Sequence, residues 1–252
     1  MSRKNIFSIV LCIICILSLS FRSLAYKVDT QEKGVSRKIF FKNGEKFLNN
    51  KSDVFREILT AVHGRTVEYG IMAQFDSLEP GEKAVNELFY KLNKIARLNK
   101  TYSRNGENYL IEFYGNSING YIESTPYDDH NIIKMDIIKR DKEYRLDELK
   151  NDISSILENS SEKIRYFEYI KAKLENNNIN SCYRETVETL KNIGDNDIKT
   201  GVLENGYTAT TYTGQYDSIY TNGKPVDFNF AIVGYTTGSY IIMGTPEIME
   251  TY

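Results

Sequence analysis

Val226-Asp227-Phe228-Asn229-Phe230-Ala231-Ile232-Val233-Gly234-Tyr235-Thr236-Thr237-Gly238-Ser239-Tyr240-Ile241-Ile242-Met243-Gly244-Thr245-Pro246 is the stretch that decides the fold. Val226, Phe228, Phe230 and Ile232 fall on one side of an extended chain, while Asp227 and Asn229 fall on the other and Ala231 and Val233 finish the strand. This period of two marks a strand with one packed face and one freer face. Gly234 to Gly238 supplies a glycine-bounded turn, and Tyr240 to Met243 returns. Pro246 has no N–H to donate, so pairing should stop beside it. A lone hairpin is barely stable in water, so this one requires more strands and a covering layer.

Upstream, the chain supplies both. Ser52-Asp53 offers an N-cap to a helix carrying Phe55, Ile58, Leu59 and Val62, with His63 in its last turn and Gly64 at its C′ position. Val67, Tyr69, Ile71, Ala73 and Phe75 alternate as a strand, and Pro80 opens a helix bearing Val85, Leu88, Leu92 and Ile95. Asn105-Gly106 predicts a hairpin turn into a strand over Tyr109–Tyr114. Asn119-Gly120 predicts the next turn, before a strand over Ile132–Ile138. A second pass begins with a helix on Leu146, Leu149, Ile153, Ile156 and Leu157. Ile164, Tyr166, Ile170, Ala172 and Leu174 follow as strand positions. Asn180-Ser181 then caps a helix with Tyr183, Val187, Leu190 and Ile193, closed by Gly194. Asn205-Gly206 leads into a strand over Tyr207–Thr213, and Asn222-Gly223 into the opening hairpin.

The order therefore repeats: helix, strand, helix, then strands joined by Asn-Gly turns. Asn105-Gly106 and Asn205-Gly206 lie 100 positions apart, and Gly115 and Gly214 lie 99 apart. An internal duplication is expected, over residues 52–142 and 143–252. Each copy would be a curved antiparallel sheet with helices packed on one face, an α+β fold of two tandem pseudo-repeats.

The first 51 residues belong elsewhere. Arg3 and Lys4 precede an apolar run from Ile6 to Phe21, and Ser23-Leu24-Ala25 gives a small-x-small cleavage pattern. This predicts a signal peptide over residues 1–25, with an uncleaved anchor as the alternative, and an exported, extracytoplasmic protein. The membrane would be met only through that segment if it stays uncleaved. Cys12 and Cys15 lack the small preceding residue of a lipoprotein signal. Residues 26–51 are polar and lysine-rich, a spacer with Ile39-Phe40-Phe41 as its apolar cluster. Cleavage removes Arg3, Lys4 and Arg22 and no acid, so 32 basic residues become 29 against 34 acidic ones, a net charge of −5. An acidic chain is a poor general binder of nucleic acid, and no nucleic-acid partner is expected. One cysteine, Cys182, survives cleavage, so no internal disulfide forms.

Two segments carry a resemblance. Asn222-Gly223-Lys224-Pro225-Val226-Asp227-Phe228-Asn229-Phe230-Ala231, and Gly244-Thr245-Pro246-Glu247-Ile248 with terminal Tyr252, resemble the YwmB-like family of exported bacterial proteins. That family is labelled for its likeness to the TATA-box-binding protein, whose fold has duplicated sheet-and-helix halves. The resemblance extends over most of residues 52–252 in element order. It implies the TATA-box-binding-protein-like fold and brings no catalytic residues with it.

Residue by residue, the chain offers little catalytic chemistry. It has no G-x-S-x-G, H-E-x-x-H, P-loop or G-x-G-x-x-G motif. Asp128-Asp129-His130 follows Pro126 and is expected to be a solvated turn, since adjacent residues rarely converge on one centre. Cys182 is expected to be a half-buried structural residue, with thiol reactivity at a helix N-terminus as the alternative. Neither cofactor nor metal is expected. If Ile164, Tyr166, Ile170 and Leu174 face the helices, Arg165, Phe167, Tyr169, Lys171 and Lys173 share the other face. Basic residues interleaved with aromatics suit an anionic polymer or a partner strand, and an ordinary solvated face is the alternative. The expected function is a non-enzymatic binding or scaffolding module whose partner is an envelope protein or wall polymer. The competing expectation is an envelope hydrolase using paired carboxylates.

Overall fold

A computed structural model describes residues 53–158, 163–194 and 197–249. The expected signal segment, the spacer, Ser52 and terminal Tyr252 lie outside the described residues. Asn50–Tyr252 is one compact unit. Its described elements are four helices and twelve strands, an α+β fold with one large antiparallel sheet. The helices are α1 (Val54–Ala61), α2 (Gly81–Ala96), α3 (Leu146–Ile156) and α4 (Ile179–Ile193).

The ten-stranded sheet runs β2 (Asn99–Asn105), β3 (Asn108–Tyr114), β4 (Ile118–Tyr127), β5 (His130–Lys139), β1 (Gly64–Ser77), β6 (Arg165–Leu174), β12 (Gly238–Thr245), β11 (Phe228–Tyr235), β8 (Gly206–Thr211) and β7 (Lys199–Leu203). From the centre outward, one side is β1-β5-β4-β3-β2 and the other is β6-β12-β11-β8-β7. A separate small hairpin pairs β9 (Ile219–Thr221) with β10 (Lys224–Val226) across Asn222-Gly223, both at positive φ. Such a two-residue turn matches the natural twist of a hairpin.

Alternation places every second strand residue under the helices. Tyr69, Ile71, Ala73 and Phe75 of β1, Ile133, Met135 and Ile137 of β5, and Ile170, Ala172 and Leu174 of β6 join one core with all four helices. Phe228, Phe230 and Ile232 do the same on β11, as their period of two predicts. Helix α1 comes from the first half of the chain, yet its Phe55 ring packs on Tyr216 and Phe228 of the second half, with centroids 5.7 and 5.6 Å away. Glu168 also points to the helix side of β6, where the Lys150 ammonium of α3 pairs with it. Glu168 is the buried member, so removing Lys150 would leave its carboxylate without this partner.

Several expectations need correcting. The left-handed residue after α1 is His63 (φ 50°), not Gly64, which already begins β1. A bulge between Thr66 and Glu68 shifts the register against β6, so Thr66 turns inward and Val67 turns out, 38% exposed. Ile95 is exposed, and Ala96 packs on the core at that end of α2. Asn119-Gly120 is not a turn but lies inside β4, a strand the sequence reading omitted. A Cβ on Gly120 would sit 2.0 Å from the Asp136 carbonyl oxygen and 2.8 Å from the Phe113 ring, so the glycine serves close packing. Gly206 likewise starts β8, where a Cβ would meet the Ile232 carbonyl oxygen at 1.9 Å. The α4 cap is Asn178, whose side chain accepts the Ser181 N–H, so Asn180-Ser181 fall inside the helix.

The face of β11 expected to be freer is buried as well. Asn229 donates to the Ala209 carbonyl at 2.7 Å and accepts the Ile248 N–H at 3.4 Å. Asp227 breaks the strand from β10 and is fully buried. Its carboxylate accepts the Thr213 N–H at 2.6 Å, the Thr213 hydroxyl at 3.0 Å and the Gln215 N–H at 3.1 Å.

Because α1 ties one half of the chain to the other, Phe55→Ala should cost about 3–5 kcal/mol of global stability. Urea unfolding followed by circular dichroism should show a single transition in both proteins. Two separate transitions in the unsubstituted chain would contradict a shared core.

Candidate ligand-binding groove

The expected surface on β6 divides once it is placed in the sheet. Arg165 is exposed at the start of β6, opposite Gln74. Eight residues separate it from Lys173, about 26 Å along an extended strand. Phe167 is half-buried opposite Met72. Tyr169 is only 4% exposed, so it is not a ligand contact. Its ring lies over Gly70 of β1, where a Cβ would come within 2.5 Å of it, and its other neighbour in register is Gly244 of β12. Two glycines therefore flank one tyrosine at the centre of the sheet. Lys171 is partly exposed and Lys173 is exposed.

Those two lysines share the far end of β1 and β6 with a groove. One cleft of about 1030 Å³ has Arg56, Arg65, Lys142 and Lys173 in its walls, with Glu175 as its carboxylate. A second, of about 600 Å³, is lined by Lys171, Glu68, Tyr235 and Tyr240. Val67, turned outward by the bulge, and Thr237 belong to both. Each cleft thus presents one carboxylate, whereas paired-carboxylate hydrolysis needs two facing each other.

The charges in the walls pair unevenly. Arg65 donates its Nε–H to Glu175 at 2.9 Å. Glu68 lies 3.6 Å from Arg140, and Arg56 lies 3.3 Å from Asp53. Asp53 also caps α1 by accepting the Arg56 N–H at 3.2 Å, and it accepts the Tyr144 hydroxyl at 3.3 Å. Every wall carboxylate is therefore met by an arginine. Among the described residues, Lys142, Lys171 and Lys173 have no carboxylate within ion-pair reach. The lysine ammoniums add positive charge to the groove, with Glu68 opposite Lys171 in register as the carboxylate of the second cleft.

Aromatic packing supports the floor. Burial and the nearby Asp53 carboxylate push the Tyr144 and Tyr216 phenols far above their ordinary range. Burial first, and then Asp141, push Tyr69 up to about 12. The Tyr69 hydroxyl has no hydrogen-bond partner among the described residues.

The other singled-out residues lie apart from this groove. Asp128 and Asp129 form the β4–β5 turn, as expected, whereas His130 is not part of the turn but begins β5 and is half-buried, its Nδ1 3.2 Å from Asp129. Among the described residues, no group of three His, Cys, Asp or Glu side chains could hold a metal ion. Cys182 is fully buried, its thiol 3.5 Å from the Asn176 carbonyl, and burial pushes its pKa up. That is the structural role, not the reactive one. Arg56, Arg65 and Lys142 went unnoticed in the sequence because they come from α1, β1 and the segment after β5, with no shared local pattern. Comparison with protein-family models gives no match, and none is found among curated proteins.

Tyr69 yields a pH prediction with a fixed sign. Its phenol stays neutral in the fold up to about 12, against 10.0 for the ordinary group. The unfolded chain therefore releases this proton first, and stability falls as pH climbs from 10 through about 12. Tyr69→Phe should leave stability at neutral pH nearly unchanged, since the hydroxyl is unpartnered. It should also reduce the alkaline loss by on the order of 1 kcal/mol near pH 11, read from urea midpoints. An equal loss in both proteins would contradict this assignment.

Proposed function

We propose that the protein is an exported, non-enzymatic binding module of the cell envelope that holds an anionic ligand at the Lys171–Lys173 end of its sheet. The observation that carries this reading is the excess of cations over carboxylates in the first cleft, with Lys142, Lys171 and Lys173 outside any ion pair among the described residues, in a chain whose net charge is −2. A local excess of one sign against the overall balance is what an electrostatic binding site requires. Export rests on the basic, apolar and small-residue pattern of residues 1–25.

Kinship with the YwmB-like proteins, with its duplicated TATA-box-binding-protein-like halves, belongs to the same proposal. Supporting it, each half of the sheet starts from a central strand and ends at an edge strand that follows a helix, in the same order. The two inner strands, β1 and β6, run antiparallel, as related halves facing each other would.

Full-length protein in mild detergent should be retained on a dextran-sulfate matrix at low salt despite its net negative charge, and released as salt screens the contact. Lys142→Glu/Lys171→Glu/Lys173→Glu should pass unretained with an unchanged circular dichroism spectrum. Arg165→Glu, about 26 Å from Lys173 along the strand, should behave as the unsubstituted chain. Equal retention of the triple variant would refute the groove as the anion site.

A further inference from the structure

We infer that the groove takes a linear polyol-phosphate polymer, with successive phosphodiesters of one chain on Lys171 and Lys173. This rests on the anion-binding reading above and narrows it to a chemical class. The two lysines are two residues apart on one strand face, so their Cα atoms are about 7 Å apart. Their side chains keep that spacing because they lean the same way. In register, Lys173 faces Tyr240 and Lys171 faces Ile242. Yet the Lys173 Cε lies 2.9 Å from where a Gly238 Cβ would be, and the Lys171 Nζ lies 5.7 Å from the centre of the Tyr240 ring. Each lysine thus reaches two residues back along β12. Gly238 leaves room for one of them, and the Tyr240 ring seats the other.

A three-carbon polyol phosphate repeats every six backbone bonds, P–O–C–C–C–O, and two residues of extended peptide also contain six, so both repeats span about 7 Å. The identity of the cations agrees. The arginines, whose planar forks suit carboxylates and phosphates alike, are already engaged: Arg56 with Asp53, Arg65 with Glu175, and Arg140 beside the groove with Glu68. Lysine ammoniums remain, compact point charges on flexible stems that can meet the anionic oxygens of a diester one at a time. Thr237, common to both clefts, adds a hydroxyl to the walls for a polyol's own hydroxyls.

Single-stranded nucleic acid shares the six-bond repeat but draws its affinity from bases stacked on open aromatic faces. Here Tyr235 and Tyr240 meet edge to face at 5.7 Å, and Lys171 covers the Tyr240 ring. No flat platform is offered along the two lysines.

The test is calorimetric titration of the full-length protein with 1,3-linked glycerol-phosphate oligomers of one, two and four repeats, with oligoglutamate and oligodeoxythymidine of matched charge as comparators. The two-repeat oligomer should bind about tenfold tighter than the single unit, the worth of one added charge-assisted contact. The four-repeat oligomer should also bind about tenfold tighter than oligoglutamate. Lys171→Ala/Lys173→Ala should lose about tenfold or more, while Arg165→Ala stays within about twofold. Equal affinity for oligoglutamate would overturn the phosphodiester assignment and leave the anion groove standing. Tighter binding of oligodeoxythymidine would replace the polyol by a nucleic acid. Binding of none of the probes would overturn the groove itself.

Discussion

The antiparallel pairing of β1 with β6 is the constraint on which the rest depends. It runs from Gly64 opposite Leu174 to Gln74 opposite Arg165, and it joins a strand near the start of the described chain to one about a hundred residues later. With it, two five-stranded halves become one sheet and one core. Without it, each half would expose an unpaired central strand whose helix-side residues are apolar apart from Thr66 on β1 and Glu168 on β6. The seam is closed on the helix side by α1, which crosses to Phe228, and on the other side by Tyr169 lying over Gly70. A glycine at that point is required, because a Cβ at Gly70 would also approach the Ile137 carbonyl oxygen at 2.8 Å.

The same seam makes the groove. One extra residue near Thr66 breaks the alternation of β1 and sends Val67 outward into both clefts. Arg65, Lys171 and Lys173 are carried there by the two central strands, while Arg56 and Tyr144 arrive with α1 and the segment before α3. Central strands are the most rigid part of a sheet, so cations mounted on them hold their spacing.

Much of the fold was legible in the residues because its signals are local. The alternation of Phe228, Phe230 and Ile232, the apolar stripe Leu146, Leu149, Ile153 and Ile156, and Gly194 closing α4 each need only a few neighbours to be read. What failed was set by the adjoining strand. Gly120 and Gly206 look like turn glycines, yet each is demanded by a carbonyl oxygen on the neighbouring strand. Val67 continues the alternation on paper, and only the register against Ala172 and Lys171 turns it outward. For the site, Lys171 and Lys173 were readable as a strand face. The burial of Tyr169 and the isolation of Arg165 followed from partners that no spacing rule reveals.

The most direct measurement of the account is amide hydrogen exchange on the full-length protein, with and without a four-repeat glycerol-phosphate oligomer. A ligand seated in the groove should add protection around Arg65–Val67, Lys171–Lys173 and Thr237–Tyr240, with the start of β6 near Arg165 and the edge strand β2 unchanged. Protection centred on Arg165 or on β2 and absent from the groove would contradict it.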